Sequence, residues 1–166
     1  MVSPILRELQ SEEDLQLCVE LLRAAFVTVA EEFGLTEKSA PTNAAFTILE
    51  NLNRHIQDNM NLYGMFCDSK LVGCIAIKIS KSDDTVFYIE RLAVDPAQRH
   101  LSYGSKLLSF AIEQIRRRGG TVASIGLMDN NERLKKWYQS KGFVQHDCRN
   151  IAHLPFKVCY MSMDLS

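Results

Sequence analysis

The feature that most constrains the fold is a group of three strand-like segments in the middle of the chain. They are rich in apolar and β-branched residues and lie at Leu62 to Cys67, Leu71 to Ser80 and Thr85 to Val94. Short polar connections separate them at 68–70 and 81–84, which is typical of hairpins. The pattern therefore predicts an antiparallel meander of three strands.

Helical and strand-like periods alternate on both sides of this meander. The other predicted elements are a strand at Ile5 to Leu9, helices from Ser11 to Phe33 and from Pro41 to Asn59, a helix from Tyr103 to Arg118, a strand from Thr121 to Met128, a helix from Asn131 to Ser140, and closing strands at Phe143 to Cys148 and Phe156 to Met163. The helix after the meander joins two strands, which predicts a βαβ unit. The chain is thus of the mixed α/β class, with about seven strands and four helices.

Length and charge limit the organisation and the partners. A chain of 166 residues with 46% hydrophobic and 23% charged residues predicts one folded domain over 1–166. Its net charge of -1 supplies no basic field for nucleic acid. No apolar run approaches the length of a membrane span. We therefore expect a cytoplasmic protein that binds neither nucleic acid nor membrane.

The possible metal ligands are scattered along the sequence. The five cysteines are odd in number, show no CxxC spacing and mostly have apolar neighbours, so we expect reduced core thiols. The histidines His55, His100, His146 and His153 have no partners at metal-ligand spacing. The sequence therefore predicts no metal site.

The segment from Val94 to Ser105 joins a predicted strand to a predicted helix. The start of a helix offers unpaired backbone N–H groups and positive partial charge, which can bind a phosphate. Arg99 would add a charge-assisted hydrogen bond. The alternative is that Ser102 only caps the helix, Gly104 relieves packing and Arg99 is solvated. The residues of this segment leave both interpretations open.

Within this segment, Arg99-His100-Leu101-Ser102-Tyr103-Gly104 resembles the pyrophosphate loop of the Gcn5-related N-acetyltransferase (GNAT) family, Gln/Arg-x-x-Gly-x-Gly/Ala. Ser102 replaces the first glycine, so a Cβ is added where the loop should approach its ligand. Two further blocks resemble the family. They are Tyr88 to Pro96, similar to its fourth strand, and a set comprising Asn131, Leu134, Trp137-Tyr138 and Gly142-Phe143.

The resemblance implies a mixed, mostly antiparallel, twisted sheet whose fourth and fifth strands splay apart to hold acetyl-CoA. The backbone of Leu92, Ala93 and Val94 would pair with the pantetheine arm, and Asn131 would touch its end. The pyrophosphate would be held by the loop residues, which are Gln98, Arg99, His100, Leu101, Ser102, Tyr103, Gly104 and Ser105.

Two residues are candidates for the catalytic groups. A primary amine is mostly protonated at neutral pH, so its attack needs a proton acceptor, for which we propose Glu90. Its alternative is a surface charge paired with Arg91 or Lys78. For Tyr138 the resemblance implies a general acid to the departing thiolate, and the alternative is packing in the core.

Two further residues are candidates for substrate contact. Strand alternation predicts that Tyr88 shares one face with Glu90, Leu92 and Val94, so Tyr88 could present a catalytic group or contact substrate. His153 lies between the closing strands, a region that borders the acceptor pocket in this family. The alternative for His153 is a residue of a proline-containing turn.

The sequence therefore predicts an N-acetyltransferase that transfers acetyl from acetyl-CoA to a primary amine of a small molecule or peptide, by direct attack in a ternary complex. The alternative, which Ser102 favours, is a non-catalytic CoA-binding or protein-interaction module with the same fold. The acidic side chains could attract a cationic acceptor or merely face solvent; they are Glu31, Glu32, Glu37 and Glu50. Exposed strand edges make a homodimer a further expectation.

Overall fold

The computed structural model describes residues 3–166, and a single seven-stranded sheet runs through them. The strands are β1 (Ile5–Glu8), β2 (Met60–Cys67), β3 (Lys70–Ile79), β4 (Val86–Val94), β5 (Val122–Met128), β6 (Val144–Asn150) and β7 (Lys157–Asp164), and the helices are α1 (Glu12–Glu32), α2 (Leu49–Gln57), α3 (Tyr103–Arg117) and α4 (Glu132–Ser140). The predicted class, with seven strands and four helices, is confirmed.

The strand order in the sheet is β1-β2-β3-β4-β5-β7-β6. All neighbours are antiparallel except β4 and β5, which are parallel and joined by α3. The meander β2-β3-β4 and the βαβ unit are therefore both confirmed. Strands β1 and β6 form the two edges, and the homodimer stays a prediction.

Helices cover both faces of the sheet. Helices α1 and α2 pack on one face, where Leu22 and Leu52 are fully buried. Helices α3 and α4 pack on the other face, where Leu107 and Phe87 are fully buried. Burying one such side chain stabilises a fold by roughly 1.5–3 kcal/mol, so these two cores fix the sheet between the layers. Among residues 3–166, none of the helices combines the length and the apolar composition of a membrane span.

The ends of α1 follow its sequence signals. The Ser11 hydroxyl accepts a hydrogen bond from the backbone N–H of Asp14 at 3.1 Å, so it caps the first turn. Gly34 follows the helix with φ of +66°, a left-handed conformation that costs glycine little. Both signals were visible in the sequence.

The second predicted helix, from Pro41 to Asn59, is wrong over its first half. The structure has a short 3-10 turn at Ala44–Phe46, two extended residues, and then α2. The Thr47 hydroxyl donates to the Ala44 carbonyl at 2.8 Å, and Arg23 donates to the Thr47 carbonyl at 3.2 Å. Thr47 and Ile48 are β-branched, and these contacts hold the chain out of the helical conformation.

The cysteines differ in their environments. Cys18, Cys74 and Cys159 are buried, as expected for core thiols. Cys67 is half-buried and Cys148 is exposed, so the expectation of core thiols is wrong for Cys148. Its strand, β6, is the edge of the sheet and carries mostly exposed side chains.

Candidate active site

Strands β4 and β5 separate soon after they begin. Their parallel pairing covers only Val86–Tyr88 against Val122–Ser124, although β4 continues to Val94 and β5 to Met128. Beyond Tyr88, the edge of β4 that faces β5 has no strand partner within the described residues. The predicted splay is therefore present, and it leaves backbone groups at 92–94 available to an extended ligand.

A β-bulge in β4 reverses the faces that strand alternation predicted. Arg91 has φ of +53°, and the register with β3 shifts between Cys74 and Ala76. Leu92 and Val94 consequently pack on the side of α3, while Ala93 joins the core on the side of α1. The prediction that Tyr88 and Glu90 share a face with Leu92 and Val94 is wrong, because the extra residue changes the alternation.

Glu90 forms an ion pair with its neighbour. Arg91 Nη1 donates to Glu90 Oε2 at 2.8 Å and to Met60 Sδ at 3.4 Å. The Glu90 side chain is 37% exposed and that of Arg91 is 16% exposed. The Arg91 Nε atom is buried and has no hydrogen-bond partner among the described residues. Glu90 is thus paired with Arg91, as the alternative interpretation held. The other carboxylate oxygen, Glu90 Oε1, makes no hydrogen bond within residues 3–166.

His55, near the end of α2, faces the same charged group. Burial lowers the pKa of His55 below its usual value, and the positive charge of Arg91 lowers it further. The charge of Glu90 acts in the opposite direction. An imidazole with a lowered pKa is neutral at pH 7. The proximity of His55 to Glu90 and Arg91 could not be predicted from the sequence, because α2 and β4 are far apart in the chain.

Tyr88 lies beside a separate ion-pair group. It is 38% exposed and sits opposite Lys78 of β3. Lys78 Nζ donates to Asp58 at 2.7 Å, and Lys81 Nζ lies 3.1 Å from the same carboxylate. These two ammonium groups lower the pKa of Asp58. Lys78 is thus held by Asp58 and does not pair with Glu90.

The predicted pyrophosphate loop begins with a short 3-10 turn at Pro96–Gln98. The Asp95 carboxylate accepts from the backbone N–H of Ala97 at 3.0 Å, which lowers its pKa. Arg99 Nη2 donates to the backbone carbonyl of Ala25 in α1 at 3.1 Å. Arg99 therefore links the loop to α1 and is not simply solvated, as the alternative interpretation held.

The next residues have a strained backbone. His100 has φ of +70° and Ser102 has φ of +63°, which is the left-handed region. The Ser102 side chain makes no capping hydrogen bond, so the interpretation of Ser102 as a cap is wrong. Leu101 between them is 51% exposed. The position of Ser102 is one that glycine adopts without strain.

The first turn of α3 presents free backbone N–H groups. Its residues Tyr103, Gly104 and Ser105 precede the first intrahelical bond, which Lys106 donates to the Ser102 carbonyl at 3.1 Å. The Tyr103 side chain points away from the loop, since its hydroxyl accepts from Cys67 Sγ at 3.4 Å.

Gly104 lies where the three sequence blocks meet. A methyl group built on it would lie 3.6 Å from the ring of Trp137 in α4 and 4.0 Å from Val94 Cγ2 in β4. These are ordinary contacts, so packing does not require glycine at this position. The structure therefore brings together the end of β4, the start of α3 and α4 at one end of the splay.

Tyr138 of α4 is buried in the core that the sheet forms with α3 and α4. Its ring makes edge-to-face contacts with Trp137 and Phe143, at centroid distances of 4.9 and 5.5 Å. Burial raises the pKa of Tyr138 well above its usual value. Its hydroxyl makes no hydrogen bond within residues 3–166. The ring of Tyr138 therefore packs in the core, as the alternative interpretation held. Its hydroxyl does not contribute a hydrogen bond to the fold within the described residues.

Asn131 is the N-cap of α4. Its side-chain oxygen accepts from the backbone N–H of Leu134 at 3.3 Å, and the residue is 9% exposed. Capping by Asn is favourable by about 1 kcal/mol. The structure therefore gives Asn131 a helix-capping contact, and the predicted contact with pantetheine stays a prediction.

The loop between β6 and β7 packs on the segment after α1 through Phe156, and the substrate contact proposed for His153 stays a prediction. His153 is exposed and makes no side-chain hydrogen bond among the described residues. Phe156 packs instead on the apolar cluster formed by Ala30, Leu35, Ala40 and Ala45. Phe33 and Met128 also pack on this cluster. The proline in this segment predicted a turn. The contact of Phe156 with the apolar cluster arises from tertiary packing and could not be predicted from the sequence.

The acidic side chains proposed to attract a cation are partly paired. Glu32 accepts from Arg133 of α4 at 2.7 Å, so it joins α1 to α4. Glu50 lies 3.8 Å from Arg54 on α2. Glu31 and Glu37 have no such partner among the described residues. This weakens the expectation of a strongly acidic acceptor site.

A comparison with known protein families finds a match over most of the chain. The sequence profile of the "Acetyltransferase (GNAT) family" matches residues 18–143. No curated protein sequence matches this chain.

Solved structures with similar folds extend over nearly the whole chain. A Desulfovibrio desulfuricans protein assigned to the GNAT family of acetyltransferases has a TM-score of 0.81, 13% identity, and coverage of 99% of this chain and 100% of its own. The PaiA N-acetyltransferase of Thermoplasma acidophilum, in complex with coenzyme A, has a TM-score of 0.74 and 20% identity, and the match covers 98% of this chain and 99% of its own. The ribosomal-protein-S18-alanine N-acetyltransferase of Escherichia coli has a TM-score of 0.77 and 14% identity, and the match covers 99% of this chain and 95% of its own. These structures are similar to this chain in fold.

Proposed function

Because this chain belongs to the acetyltransferase (GNAT) family, we propose that it transfers an acetyl group from acetyl-CoA to a primary amine of a small molecule or peptide. The amine attacks directly in a ternary complex. The observation that carries the proposal is the meeting of the unpaired half of β4, the first turn of α3 and Trp137 of α4. A similar fold, that of the PaiA N-acetyltransferase, was solved with coenzyme A.

The described residues fit coenzyme A. Its pantetheine arm is an extended chain with amide groups, which the free backbone edge at 92–94 can pair with. Its pyrophosphate is an anion, which the free N–H groups at 103–105 and the helix dipole favour. Arg99 would have to leave the Ala25 carbonyl to contribute its charge.

Glu90 is our candidate for the proton acceptor. Acetyl-CoA, when bound, supplies an acetyl group activated as a thioester. The attacking amine must be neutral, and most primary amines are protonated at pH 7. Glu90 Oε1 is free to accept a proton or to orient a water, while Oε2 is held by Arg91. The ion pair thus fixes the carboxylate and leaves one oxygen for chemistry.

Tyr138 is our candidate for the donor to the leaving sulfur. Because burial raises its pKa, the phenol keeps its proton at physiological pH. Full transfer of that proton to a thiolate would be unfavourable, since thiols have a reference pKa near 8.5. We therefore assign Tyr138 Oη a hydrogen bond that stabilises charge on the sulfur, and the released thiol takes its proton from elsewhere.

The test is an acetyl-transfer assay on purified protein, with acetyl-CoA and a panel of polyamines, amino acids and peptides. Release of free CoA together with acetylated product on a primary amine supports the proposal. Binding of CoA without turnover on any amine would favour the non-catalytic module instead. Product formed only on hydroxyl acceptors would contradict the assignment of an amine.

A further inference from the structure

Outside the proposed active site, two cysteines lie directly opposite each other on the last two strands. Cys148 of β6 and Cys159 of β7 are register partners in the antiparallel pair. Side chains of opposed residues emerge on the same face of a sheet. The ten residues between them comprise two further register pairs and the six-residue connecting loop, so their spacing in the sequence did not predict this pair.

Two charged groups complete the cluster. The Cys148 thiol donates to Asp129 Oδ1 at 3.3 Å, and Lys135 Nζ donates to the same oxygen at 2.5 Å. The Sγ atoms of both cysteines and a carboxylate oxygen of Asp129 all lie within 4.8 Å of one another. Lys135 is 8% exposed, so the ion pair is held in place by packing.

The backbone spacing suits a covalent bond between the two sulfurs. Opposed residues of an antiparallel pair have Cα atoms about 4.5 or 5.5 Å apart. Disulfides are found at Cα separations of about 4.4–6.8 Å. A bond between Cys148 and Cys159 therefore needs side-chain rotation and little movement of the backbone.

The two thiols differ in access. Cys148 is exposed, so a dissolved oxidant can reach it, and its hydrogen points at a carboxylate that can accept a proton. Cys159 is 0% exposed, and burial raises its pKa to about 11. Cys159 is therefore shielded from a dissolved oxidant and lies within reach only of its neighbour.

We propose that Cys148 and Cys159 form a reversible redox pair, in which a peroxide oxidises Cys148 and Cys159 then closes a disulfide between β6 and β7. In the first step the Cys148 sulfur attacks one peroxide oxygen, the O–O bond breaks, and the products are a sulfenic acid and water. In the second step the Cys159 sulfur attacks the Cys148 sulfur, the S–O bond breaks, and the thiol proton leaves with the hydroxyl as water. Two thiols are oxidised and one peroxide is reduced to two waters.

A divalent metal is a poorer occupant of this cluster. Cysteine thiolates and a carboxylate are ligands that Zn²⁺ accepts. The Lys135 ammonium, however, already neutralises Asp129 and would repel a second cation. A disulfide needs no charge at this place and leaves the ion pair between Lys135 and Asp129 intact.

The experiment treats the whole protein with hydrogen peroxide and maps the cross-links by peptide mass spectrometry under non-reducing conditions. We expect an intramolecular link between Cys148 and Cys159, the loss of two hydrogens, and full reversal by dithiothreitol. The link should be absent in Cys148→Ser, an exposed position whose variant should fold, and in Cys159→Ala. Because the readout is covalent, it does not depend on acetyl transfer.

The buried pair Cys18 and Cys74 is an internal control. The neighbouring Cys18 thiol and burial raise the pKa of Cys74, whose own thiol donates to the Arg91 carbonyl at 3.4 Å, and both cysteines are 0% exposed. A link between Cys18 and Cys74 at equal yield would overturn the proposal, because proximity alone would then suffice. Overoxidation of Cys148 without a link, or links only between two protein molecules, would also overturn it.

Discussion

Ser102 holds a left-handed backbone conformation with φ of +63°, and its side chain makes no capping hydrogen bond that would compensate. The left-handed region costs a non-glycine residue roughly 1–2 kcal/mol. Glycine avoids this cost but loses about 0.5–1 kcal/mol of backbone entropy on folding. We predict that Ser102→Gly leaves the free energy of unfolding unchanged or raises it by up to about 1 kcal/mol, measured by urea unfolding.

Ser105→Gly is the matched control for this change. Ser105 lies within the first turn of α3, where the backbone is helical. The same substitution there should lower the free energy of unfolding by roughly 0.5 kcal/mol. Equal losses at both positions would contradict the account of strain at Ser102.

Tyr138 gives a test of chemistry at a single atom. Its hydroxyl makes no hydrogen bond within residues 3–166, while its ring packs on Trp137 and Phe143. Tyr138→Phe keeps the ring, so we predict a change in the free energy of unfolding below about 0.5 kcal/mol. The rate of acetyl transfer should fall about 100-fold, as for the loss of a positioned donor.

The control for Tyr138→Phe is Tyr160→Phe on β7. The Tyr160 ring lies against Arg149 on the strand pair that carries the two cysteines, and β7 is separated from β4 by β5. This variant should keep full activity. If Tyr138→Phe transfers acetyl as fast as the unmodified protein, the hydrogen-bond donor is another group.

The roles of single residues could be predicted only in part, and β4 shows why. The residue types that resemble the family made Glu90 and the loop after Val94 candidates, and the structure places both next to the unpaired half of β4. The faces of β4 were predicted wrongly because Arg91 forms a bulge. A bulge depends on the partner strand, so the sequence of β4 by itself carries no reliable sign of it.

At the scale of elements, α3 and its following turn set the distance between β4 and β5. The Gly120 N–H donates to the Ile115 carbonyl at 2.9 Å and closes the end of the helix. A Cβ on Gly120 would lie 2.3 Å from Ile115 Cγ2 and 2.8 Å from the Phe87 ring. We predict that Gly120→Ala lowers the free energy of unfolding by about 1–3 kcal/mol through overpacking, measured by urea unfolding. No change would show that α3 can shift on the sheet.

An ion pair joins β1 to α1 and gives a prediction about pH. Arg7 donates two hydrogen bonds to the Asp14 carboxylate, at 2.7 and 2.9 Å, and lowers the pKa of Asp14. Since the folded pKa lies below the unfolded one, the unfolded state binds more protons in acid. The contribution is therefore complete above the unfolded pKa and is lost as the pH falls towards the folded pKa.

The measurement compares urea unfolding at about pH 7 and about pH 3. Asp14→Asn should be less stable than the unmodified protein at neutral pH, and the difference should shrink in acid. Glu12→Gln is the control, because it also removes a charge from the first turn of α1 but has no ion-pair partner among the described residues. A difference for Asp14→Asn that is the same at both pH values would contradict the ion-pair account.

Elements were predictable where their ends carry local signals. Ser11 and Gly34 bound α1 as expected, and short polar turns separate the strands of the meander. The segment from Pro41 to Asn59 failed because its apolar spacing continued through Thr47 and Ile48, which are extended. Thr47 is held by Arg23 and Ala44, contacts that a periodicity argument does not include.

At the scale of the whole molecule, the sheet has two halves that share only a short parallel contact. The meander with β1 forms one half, and β5, β7 and β6 form the other. Their pairing through β4 and β5 spans three residue pairs. The order of elements could be predicted from the sequence. The acceptor could not, because the cluster around Phe156 and the charges near Glu90 come from segments that only the fold brings together.

The measurement that tests the central claim most directly is calorimetric titration of acetyl-CoA into the unmodified protein and into Ser105→Asp. A carboxylate in the first turn of a helix is favourable for the helix dipole, so the variant should fold as stably as the unmodified protein. We predict micromolar binding by the unmodified protein and binding at least about tenfold weaker by the variant, since the added negative charge lies beside the free N–H groups at 103–105 and repels the pyrophosphate. No binding by the unmodified protein, or equal binding by both, would contradict the account.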